Sequence, residues 1–394
     1  MKVLYLAHTC PYPPNRGDRI RCYHILRHLA KKYEIILMFP VFTDDHQECQ
    51  GPLLEYCRAI FPVKQNRFLA YLSCFTAMFR GRPLSVSFFY SLKLSKVLQM
   101  LSYDVIVADC STMAQYVMGV PAPKVLDFVD IDSQKWRLFS TMTRFPFSLV
   151  YKIESSRLAQ FEQMLSKQFD YCLVTSPYEK SLLENVPNIV VLPNGVDQHY
   201  FSPQNAPVEG TIIFTGVMNY FPNSDAVLYF HRHIFPLIKR DIPAAQFIIS
   251  GMHPTVQIRK LVDPNTVVTG FVPDIREHLS RASVCVVPLR LAMGVQNKIL
   301  EAMAMGVPVV ATSVANRGIN ATPGKEILVA DDPESFATAT KTLLKDPDLR
   351  ETITKNAQQF IEQNFRWEKN LNKLDALISE IIAQPNIPRD FSAR

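Results

Sequence analysis

The stretch Asn297–Thr312, NKILEAMAMGVPVVAT, decides the fold of the second half of the chain. Its helical part carries Glu301 near the start, breaks at Gly306-Val307-Pro308 and leads into an apolar strand, an order typical of a parallel α/β sheet. A carboxylate just inside a helix at a sheet edge can accept hydrogen bonds from ribose hydroxyls, and free N–H groups at the helix start suit a diphosphate. An ordinary helix–turn–strand connection with a solvated glutamate is the alternative that this stretch alone leaves open.

The length and composition predict two globular domains. The chain has 394 residues, which is too many for one ordinary hydrophobic core. Hydrophobic residues make up 48% of it and charged residues 20%, as in soluble proteins. The N-terminus MKVLYLAHTCPYPP is typical of a strand and loop rather than a signal peptide, and no apolar run is long enough to cross a membrane. We therefore expect a cytoplasmic protein.

The eight cysteines are scattered, without a C-x-x-C pair and without a histidine at metal-ligand spacing. In a chain with no export signal they are expected to be reduced and mostly buried. No metal site is expected.

The net charge of +6 is concentrated in residues 51–100, which hold seven Lys or Arg and one acid. This segment includes the aromatic stretches FLAYLSCFTAMF (68–79) and SVSFFYSL (85–92). Basic residues beside such stretches suit an anionic membrane surface or a lipid-linked phosphate. A buried helix pair with solvated lysines is the alternative. Nucleic acid is not expected as a partner, because the rest of the chain has no basic stripe.

Strands and helices alternate in both halves of the chain. Strands are predicted at 2–8, 34–40, 105–109, 124–129 and 170–176, and then at 211–216, 245–251, 266–271, 283–289, 307–312 and 326–330. Helices are predicted at 19–32, 148–168, 225–240 and 274–282. The alternation predicts two Rossmann-like doubly wound parallel sheets facing across a cleft, with ligands at the carboxyl ends of the strands.

A Pro-rich loop ending in Arg16, Gly17 and Asp18 connects the first strand to the first helix. A glycine there lets backbone N–H groups approach an acceptor or a phosphate, although a tight turn explains it equally. The loop has no G-x-G-x-x-G pattern, which disfavours a dinucleotide enzyme.

Several motifs occur in a recognisable order. They are VLPNGVDQHYFSP (191–203), the strand end FTG, the stretch TGFV, and NKILEAMAMGVPVVAT. The chain thereby resembles the family 4 glycosyltransferases. PPNRGDRIRCYHILRHLA, LDFVDIDSQKWRLFS, IESSRLAQFE and GVMNYFPNSDAV further resemble the sugar transferases associated with exosortase/PEP-CTERM exopolysaccharide systems. The resemblance implies a GT-B fold and retaining, metal-independent transfer from a nucleotide sugar, with no other cofactor.

The resemblance also assigns roles to residues of the second half. Glu301 matches the second glutamate of the family's E-x7-E signature, which binds the ribose hydroxyls, whereas Met293 stands where the first glutamate would be. Contact with the donor sugar would then fall to Gln296 or Asn297.

The phosphates and the base have their own expected contacts. The loop from Gly294 to Lys298 and the strand end at Gly216 are expected at the diphosphate. Asn219 and Asn223 replace the family's usual Arg and Lys, so Lys298 is the local cation that can neutralise the leaving group. The backbone at Phe271 and Val272 is expected to read the base.

The acidic motif LDFVDIDS follows a first-half strand and contains Asp127, Asp130 and Asp132. Asp127 and Asp130 are candidates for holding a sugar hydroxyl or accepting the acceptor's proton, with helix capping as the alternative for Asp132. Glu154, Arg157 and Glu162 are expected to form a surface ion-pair set, with contact to the acceptor as the alternative. Trp136 and Trp367 are expected to be packing residues.

The expected organisation is an acceptor-binding domain at 1–192, a linker at 193–208 and a nucleotide-sugar domain at 209–365. A C-terminal helix and tail at 366–394 should pack back toward the first domain. The expected acceptor is a saccharide, lipid-linked, at the inner face of the cytoplasmic membrane. Two alternatives stay open: a nucleotide-sugar 2-epimerase of the same architecture, and a sugar-nucleotide-binding protein without catalysis, which the methionine at 293 keeps in view.

Overall fold

A computed structural model describes residues 1–42, 51–183, 186–197, 200–202 and 206–383, which form two compact units. The first unit comprises Met1–Leu192 and the chain from Leu371 onward, and the second is Pro193–Asn370. Residues 198–199 and 203–205 of the predicted linker and the tail beyond Ala383 lie outside the described residues.

The first unit is built on a parallel sheet of seven strands in the order β3-β2-β1-β4-β5-β6-β7. The central strands are continuous apolar runs, as strands covered on both faces must be. Strands β3 and β7 were not predicted. The strands are β1 (Lys2–Leu6), β2 (Glu34–Val41), β3 (Cys57–Lys64), β4 (Val105–Asp109), β5 (Lys124–Asp127), β6 (Tyr171–Val174) and β7 (Ile189–Val191).

Helices cover this sheet, and polar side chains fix several of their starts. Asn66 accepts a hydrogen bond from the Phe68 N–H, and Ser91 and Ser176 cap in the same way. The helices are α1 (Gly17–Leu29), α2 (Arg67–Phe79), α3 (Leu84–Phe88), α4 (Leu92–Gln99), α5 (Cys110–Ala114), α6 (Asp132–Met142), α7 (Phe147–Ser166) and α8 (Pro177–Leu182).

Helix α1 buries charge as well as apolar surface. Ile25, Leu26 and Leu29 are buried, and Arg21 and His28 are buried beside them. The His28 Nε2 atom lies 3.0 Å from a carboxylate oxygen of Asp375, in the last helix of the chain. The part of that helix beyond Asn370 therefore packs on the first unit.

The second unit contains a parallel sheet of six strands in the order β10-β9-β8-β11-β12-β13. All six were predicted, since each is an isolated apolar run. They are β8 (Thr211–Thr215), β9 (Gln246–Ser250), β10 (Thr266–Gly270), β11 (Val284–Val287), β12 (Val309–Ala311) and β13 (Leu328–Val329). With both sheets parallel and covered by helices, the predicted Rossmann-like fold class is confirmed.

The first helical stretch of the second unit departs from prediction. Instead of one helix at 225–240, the chain forms α9 (Phe221–Tyr229), a π-helical turn (Phe230–Ile234) and α10 (Phe235–Asp241). Pro236 explains the break, because its ring cannot continue the hydrogen-bond ladder of a helix. The remaining helices are α11 (Val256–Arg259), α12 (Arg276–Leu279), α13 (Asn297–Ala304), α14 (Ser313–Asn316), α15 (Pro333–Lys345), α16 (Pro347–Asn364) and α17 (Trp367–Ala383).

The PNGVD motif contains a close backbone contact. A Cβ atom at Gly195 would lie 2.4 Å from the Trp367 nitrogen, so only glycine fits there. The Asn370 side chain donates to the Asn194 carbonyl oxygen at 3.1 Å beside this contact. Trp367 is buried, and the Trp136 ring packs 5.0 Å from that of Tyr151, so both tryptophans are packing residues as predicted.

Candidate functional site

The carboxyl ends of β8, β9 and β10 are drawn together by glycines. The Gly251 N–H donates to the Gly270 carbonyl oxygen at 3.1 Å, and a Cβ atom at Gly251 would lie 1.7 Å from the Gly216 oxygen. A Cβ atom at Gly216 would in turn meet the Asn223 side chain at 2.8 Å. Side chains are therefore excluded from this edge, and it presents backbone atoms to whatever binds there.

Lys298 lies directly beside this edge. Its ammonium donates to the Asn223 Oδ1 atom and sits 4.7 Å from the centre of the Phe214 ring. Burial lowers the pKa of Lys298 to about 8. No acid among the described residues forms an ion pair with it, so its positive charge is available to an anionic ligand.

Glu301 follows Lys298 by three residues on α13 and therefore lies on the same face of the helix. Burial raises the pKa of Glu301 to about 7, against the opposing effect of Lys298. The side chain is half-buried, and no described residue donates a hydrogen bond to its carboxylate. A half-buried carboxylate without donors can accept hydrogen bonds from a ligand's hydroxyl groups.

The turn before α13 is shaped by Gly294, whose φ of 56° lies in the left-handed region. Its carbonyl oxygen packs so closely on Gly318 that a Cβ atom there would lie 1.9 Å away. Gln296 does not cap the helix, because its Nε2 atom donates to the Met293 carbonyl oxygen at 2.7 Å. The first turn of α13 therefore keeps N–H groups that no side chain of the N-cap residue occupies.

Two predicted donor-sugar contacts have partners within the protein. Gln296 is engaged with Met293, and the Asn297 Oδ1 atom accepts a hydrogen bond from the Asn194 side chain at 2.9 Å. Phe271 follows β10 and is 66% exposed, while Val272 is half-buried. The predicted donor residues Gly216, Lys298, Glu301 and Gly294–Asn297 thus lie around one edge of the second unit, and Phe271 and Val272 follow its outer strand.

In the first unit, the Asp127 carboxylate is fully occupied. Arg21 donates to its two oxygens at 2.6 and 3.0 Å, and both side chains are wholly buried. The Arg21 guanidinium also donates to the Leu192 carbonyl oxygen at 2.9 Å. The prediction of a catalytic Asp127 is therefore not supported, because its carboxylate is wholly buried in a bidentate ion pair and also accepts a hydrogen bond from the Val129 N–H at 3.2 Å.

Asp130 is placed differently. It follows Val129, a β-branched residue with the unfavourable φ of 62°, which turns the chain sharply after β5. Burial raises the pKa of Asp130 to about 6. The buried Glu179 accepts a hydrogen bond from the Ile131 N–H at 3.4 Å and so helps to hold this turn. A half-buried carboxyl group with a raised pKa, next to a strained turn, suits proton transfer or sugar binding.

One residue at this edge that was not predicted is His8, which closely follows β1. Its backbone N–H donates to Asp109 Oδ2 at 3.1 Å, and its ring Nδ1 atom lies 3.0 Å from the Thr112 hydroxyl. Burial lowers the pKa of His8, which favours the neutral imidazole. Cys110, the residue after β4, has a φ of 66°. The available signal for His8 was position alone, because ligands bind where parallel strands end.

The predicted surface ion-pair set on α7 is wrong. Glu154 is buried and accepts hydrogen bonds from the Leu84 and Ser85 N–H groups at 2.7 and 2.8 Å. Glu162 is also buried and accepts from the Ser133 N–H at 3.0 Å. Arg157 donates instead to the carbonyl oxygens of Met78 and Arg82. The spacing did place them along one helix, but each bonds to a different backbone segment.

The loop before α1 carries its own ion pair. Arg16 and Asp18 pair at 2.7 Å on the surface, and Gly17 begins the helix. The Arg16 charge is therefore partly neutralised within the loop, and its predicted contact with an acceptor or a phosphate stays a prediction.

No disulfide joins any two of the seven cysteines that the structure describes, and five of these cysteines are buried, as predicted. Within the described ranges, no three His, Cys, Asp or Glu side chains come together as a possible metal site. Of the helices in the described part of the chain, none combines the length and apolarity needed to cross a membrane.

Comparison with known proteins agrees with this architecture. Residues 209–346 match the family model described as glycosyl transferases group 1. They include Gly216, Lys298 and Glu301, so the edge described above lies within the matched region. The prediction of a glycosyltransferase enzyme is thereby confirmed.

Similarity to individual proteins extends over nearly the whole chain. An uncharacterized 44.6 kDa protein in the cps region of Klebsiella pneumoniae is 20% identical, over 93% of this chain and 97% of its own. Sucrose-phosphate synthase from Thermosynechococcus elongatus has a TM-score of 0.72 at 16% identity, covering 97% and 99% of the two chains. HepE of Anabaena, solved with UDP, has a TM-score of 0.66 at 15% identity, covering 96% and 100%. At these identities the solved structures establish the shared fold.

Proposed function

We propose that the chain transfers a sugar, with retention, from a nucleoside diphosphate sugar to a lipid-linked saccharide in exopolysaccharide assembly. The observation that carries the proposal is the pairing of an unneutralised lysine with a half-buried carboxylate, three residues apart on α13, beside a side-chain-free strand edge. These are the complementary groups for a diphosphate and for a ribose diol.

The leaving diphosphate is the point at which charge develops during transfer. Lys298 and the uncapped N–H groups of α13 would neutralise it, so that the bond to the sugar breaks without a separate cation. Glu301 would hold the ribose hydroxyls and fix the nucleotide. The exposed Phe271 and the backbone of Val272 would contact the base. No cofactor besides the nucleotide sugar is proposed.

The first unit would hold the acceptor. Asp130 is the residue proposed to bind a reacting hydroxyl group or to accept its proton. Its raised pKa lies closer to pH 7 than that of an ordinary aspartate, and a general base works best when its pKa is near the working pH. Arg16, Gly17 and Asp18 stay proposed acceptor contacts. Retention of configuration rests on the resemblance to the family 4 enzymes.

The biological setting is supported by two relatives and by one segment of the sequence. The Klebsiella relative is named for its place in a cps region, and HepE was solved with UDP and with glucose. The basic aromatic segment 51–100 suits peripheral contact with an anionic membrane at the cytoplasmic face. The exosortase/PEP-CTERM association rests on the sequence resemblance.

A binding panel tests the donor half of the proposal. UDP, GDP, ADP and TDP sugars are titrated while the melting temperature of the protein is followed, and one base should raise it well above the others. Glu301→Gln should weaken that ligand about tenfold, and should weaken its 2′-deoxy analogue less. If no nucleotide sugar shifts the melting temperature, the proposal fails.

Product analysis tests the reaction itself. Incubation with the donor alone should release at most slow hydrolysis products, and transfer should require a saccharide acceptor. An epimerised nucleotide sugar formed without acceptor would favour the 2-epimerase. Tight nucleotide binding without either product would favour the non-catalytic binding protein.

A further inference from the structure

Exposed aromatic residues are concentrated on two elements of the first unit. On α2, Phe68 is 73% and Phe79 is 74% exposed. On the second element, the connection after α6 together with the start of α7, Phe145 is 79% and Phe147 is 60% exposed. We call residues 142–153 the hairpin tip, because they join α6 to α7 and these two helices pack against each other. Single exposed apolar residues are ordinary, but such grouping marks an interaction surface.

The two elements are fixed to each other. Glu154, just past the hairpin tip, accepts hydrogen bonds from the Leu84 and Ser85 N–H groups that follow α2. One turn further along α7, Arg157 donates to the carbonyl oxygens of Met78, in α2, and Arg82. These bonds join the C-terminal end of α2 to α7, so the two aromatic groups belong to one rigid part of the unit.

The charge around them has one sign. Residues 64–82 and 137–157 contain eight Lys or Arg and a single acid, Glu154. That acid is buried and occupied by backbone donors. Arg67, Arg80, Arg82 and Arg144 are exposed, and none pairs with a described acid. The two elements that carry the exposed aromatic side chains therefore also carry exposed arginines that pair with no described acid.

We propose that α2 and the hairpin tip together form a single membrane-binding surface. Their phenylalanines insert at the boundary between headgroups and acyl chains of an anionic bilayer, and the neighbouring arginines bind lipid phosphates. The inference rests on the proposed function and deepens it. It adds the hairpin tip, which lies outside the basic segment 51–100, to the proposed membrane contact.

A bilayer fits this surface better than a protein does. A second copy of the chain would bring these cations against each other, and like charges across an interface oppose association. Anionic lipid supplies both an apolar interior and a dense layer of negative charge. An amphipathic element that lies in the membrane interface combines these same residue types.

Vesicle flotation with the full chain tests the proposal, using phosphatidylcholine with and without phosphatidylglycerol. Wild-type protein should bind only the anionic vesicles. The pair Phe145→Ser and Phe147→Ser should reduce the bound fraction on the order of tenfold, as should Phe75→Ser with Phe79→Ser. Arg80→Gln and Arg144→Gln should each reduce it about fivefold. Val256→Ser with Val262→Ser, two exposed residues of the second unit, is the matched control and should change nothing.

Three outcomes would overturn the proposal. They are unchanged flotation of the hairpin-tip pair, equal binding to neutral vesicles, and a change of oligomeric state in the same variant by sedimentation, which would assign the surface to a second copy. Nucleotide-induced stabilisation, measured without vesicles, separates this question from the glycosyltransferase proposal. If nucleotides still stabilise the protein but the protein does not float with anionic vesicles, only the membrane surface is wrong. If nucleotides no longer stabilise a variant, that variant is misfolded. Tyr71→Ser with Leu72→Ser then replaces the α2 pair.

Discussion

The carboxyl edges of the two sheets have opposite chemical characters. In the second unit, Gly216, Gly251 and Gly270 leave backbone exposed, and Lys298 provides the positive charge. In the first unit, the edge carries acids and strained residues, with Asp130 following the turn at Val129. The same fold thus places a cation beside exposed backbone in one unit and a carboxyl group beside a strained turn in the other.

The comparison also separates two kinds of buried charge. Arg21 and Asp127 form a buried bidentate ion pair, whereas the Lys298 ammonium donates to a neutral amide, lies near an aromatic ring and forms no ion pair with a described acid. A paired buried charge holds a structure together, and removing one partner is costly. An unpaired one is tolerated where a ligand supplies the counter-charge. Substitutions at the two kinds of position should therefore have different effects.

The largest expected effect is on stability. Asp127→Ala should lower the free energy of unfolding of the first unit by about 3–5 kcal/mol, because Arg21 would remain buried without a counter-ion. Urea denaturation, monitored by circular dichroism, measures this loss of unfolding free energy. Asp18→Ala, which breaks an exposed ion pair, is the control and should cost less than about 1 kcal/mol. A stable Asp127→Ala protein that has lost transfer would restore a catalytic role to Asp127.

Lys298→Met should have the largest effect on catalysis. Its loss leaves the diphosphate without its main positive charge, so kcat/KM should fall by about 10²–10³. Nucleotide affinity, measured by calorimetry, should fall as well. Lys260→Met, a change at an exposed lysine of the same unit, is the control and should behave as wild type. An unchanged kcat/KM would show that another group neutralises the leaving diphosphate.

Asp130→Asn should reduce kcat about a hundredfold, since an amide cannot accept the acceptor's proton. The dissociation constant of the donor should not change, because Asp130 belongs to the other unit. Stopped-time assays at saturating donor, together with calorimetry, separate the two quantities. Equal losses in donor affinity and in turnover would contradict the division of roles between the sheets.

The smallest expected effect is on the pH dependence of donor binding. Burial raises the pKa of Glu301 to about 7 and lowers that of Lys298 to about 8. Below the first value the carboxylate is lost by protonation, and above the second the ammonium is lost, so affinity should peak between them and fall several-fold on each side. Titrations in Glu301→Gln should lack the acid limb. A flat profile in the wild type would exclude both assignments.

The sequence predicted the second unit better than the first. TIIFT and VCVV are apolar runs between polar connections, so their strands follow from local pattern alone. The strand CRAIFPVK carries charged residues and was recognised only in the structure, where β2 pairs with it along its length. The basic and aromatic composition of the segment 51–100 predicted an interaction surface. Its hydrogen bonds to α7 could not be predicted from the sequence.

The candidate site divides in the same way. The motif around Glu301 is continuous in sequence, and so the position of Lys298 and Glu301 on one helical face follows from their spacing alone. Asp127 was taken for a catalytic residue because its partner Arg21 is far away in the chain. His8 was missed for a similar reason, since its contacts with Asp109 and Thr112 depend on β1 and β4 being neighbours.

The sequence by itself determined the two parallel sheets and the donor motif, because hydrophobic periodicity and helix position are properties of neighbouring residues. The tertiary structure alone decided which charges are paired and which are available. It placed Arg21 on Asp127, left Lys298 with an amide, and joined α2 to α7. Charge availability depends on distance in space, and residues a hundred positions apart acquire that distance only when the chain folds.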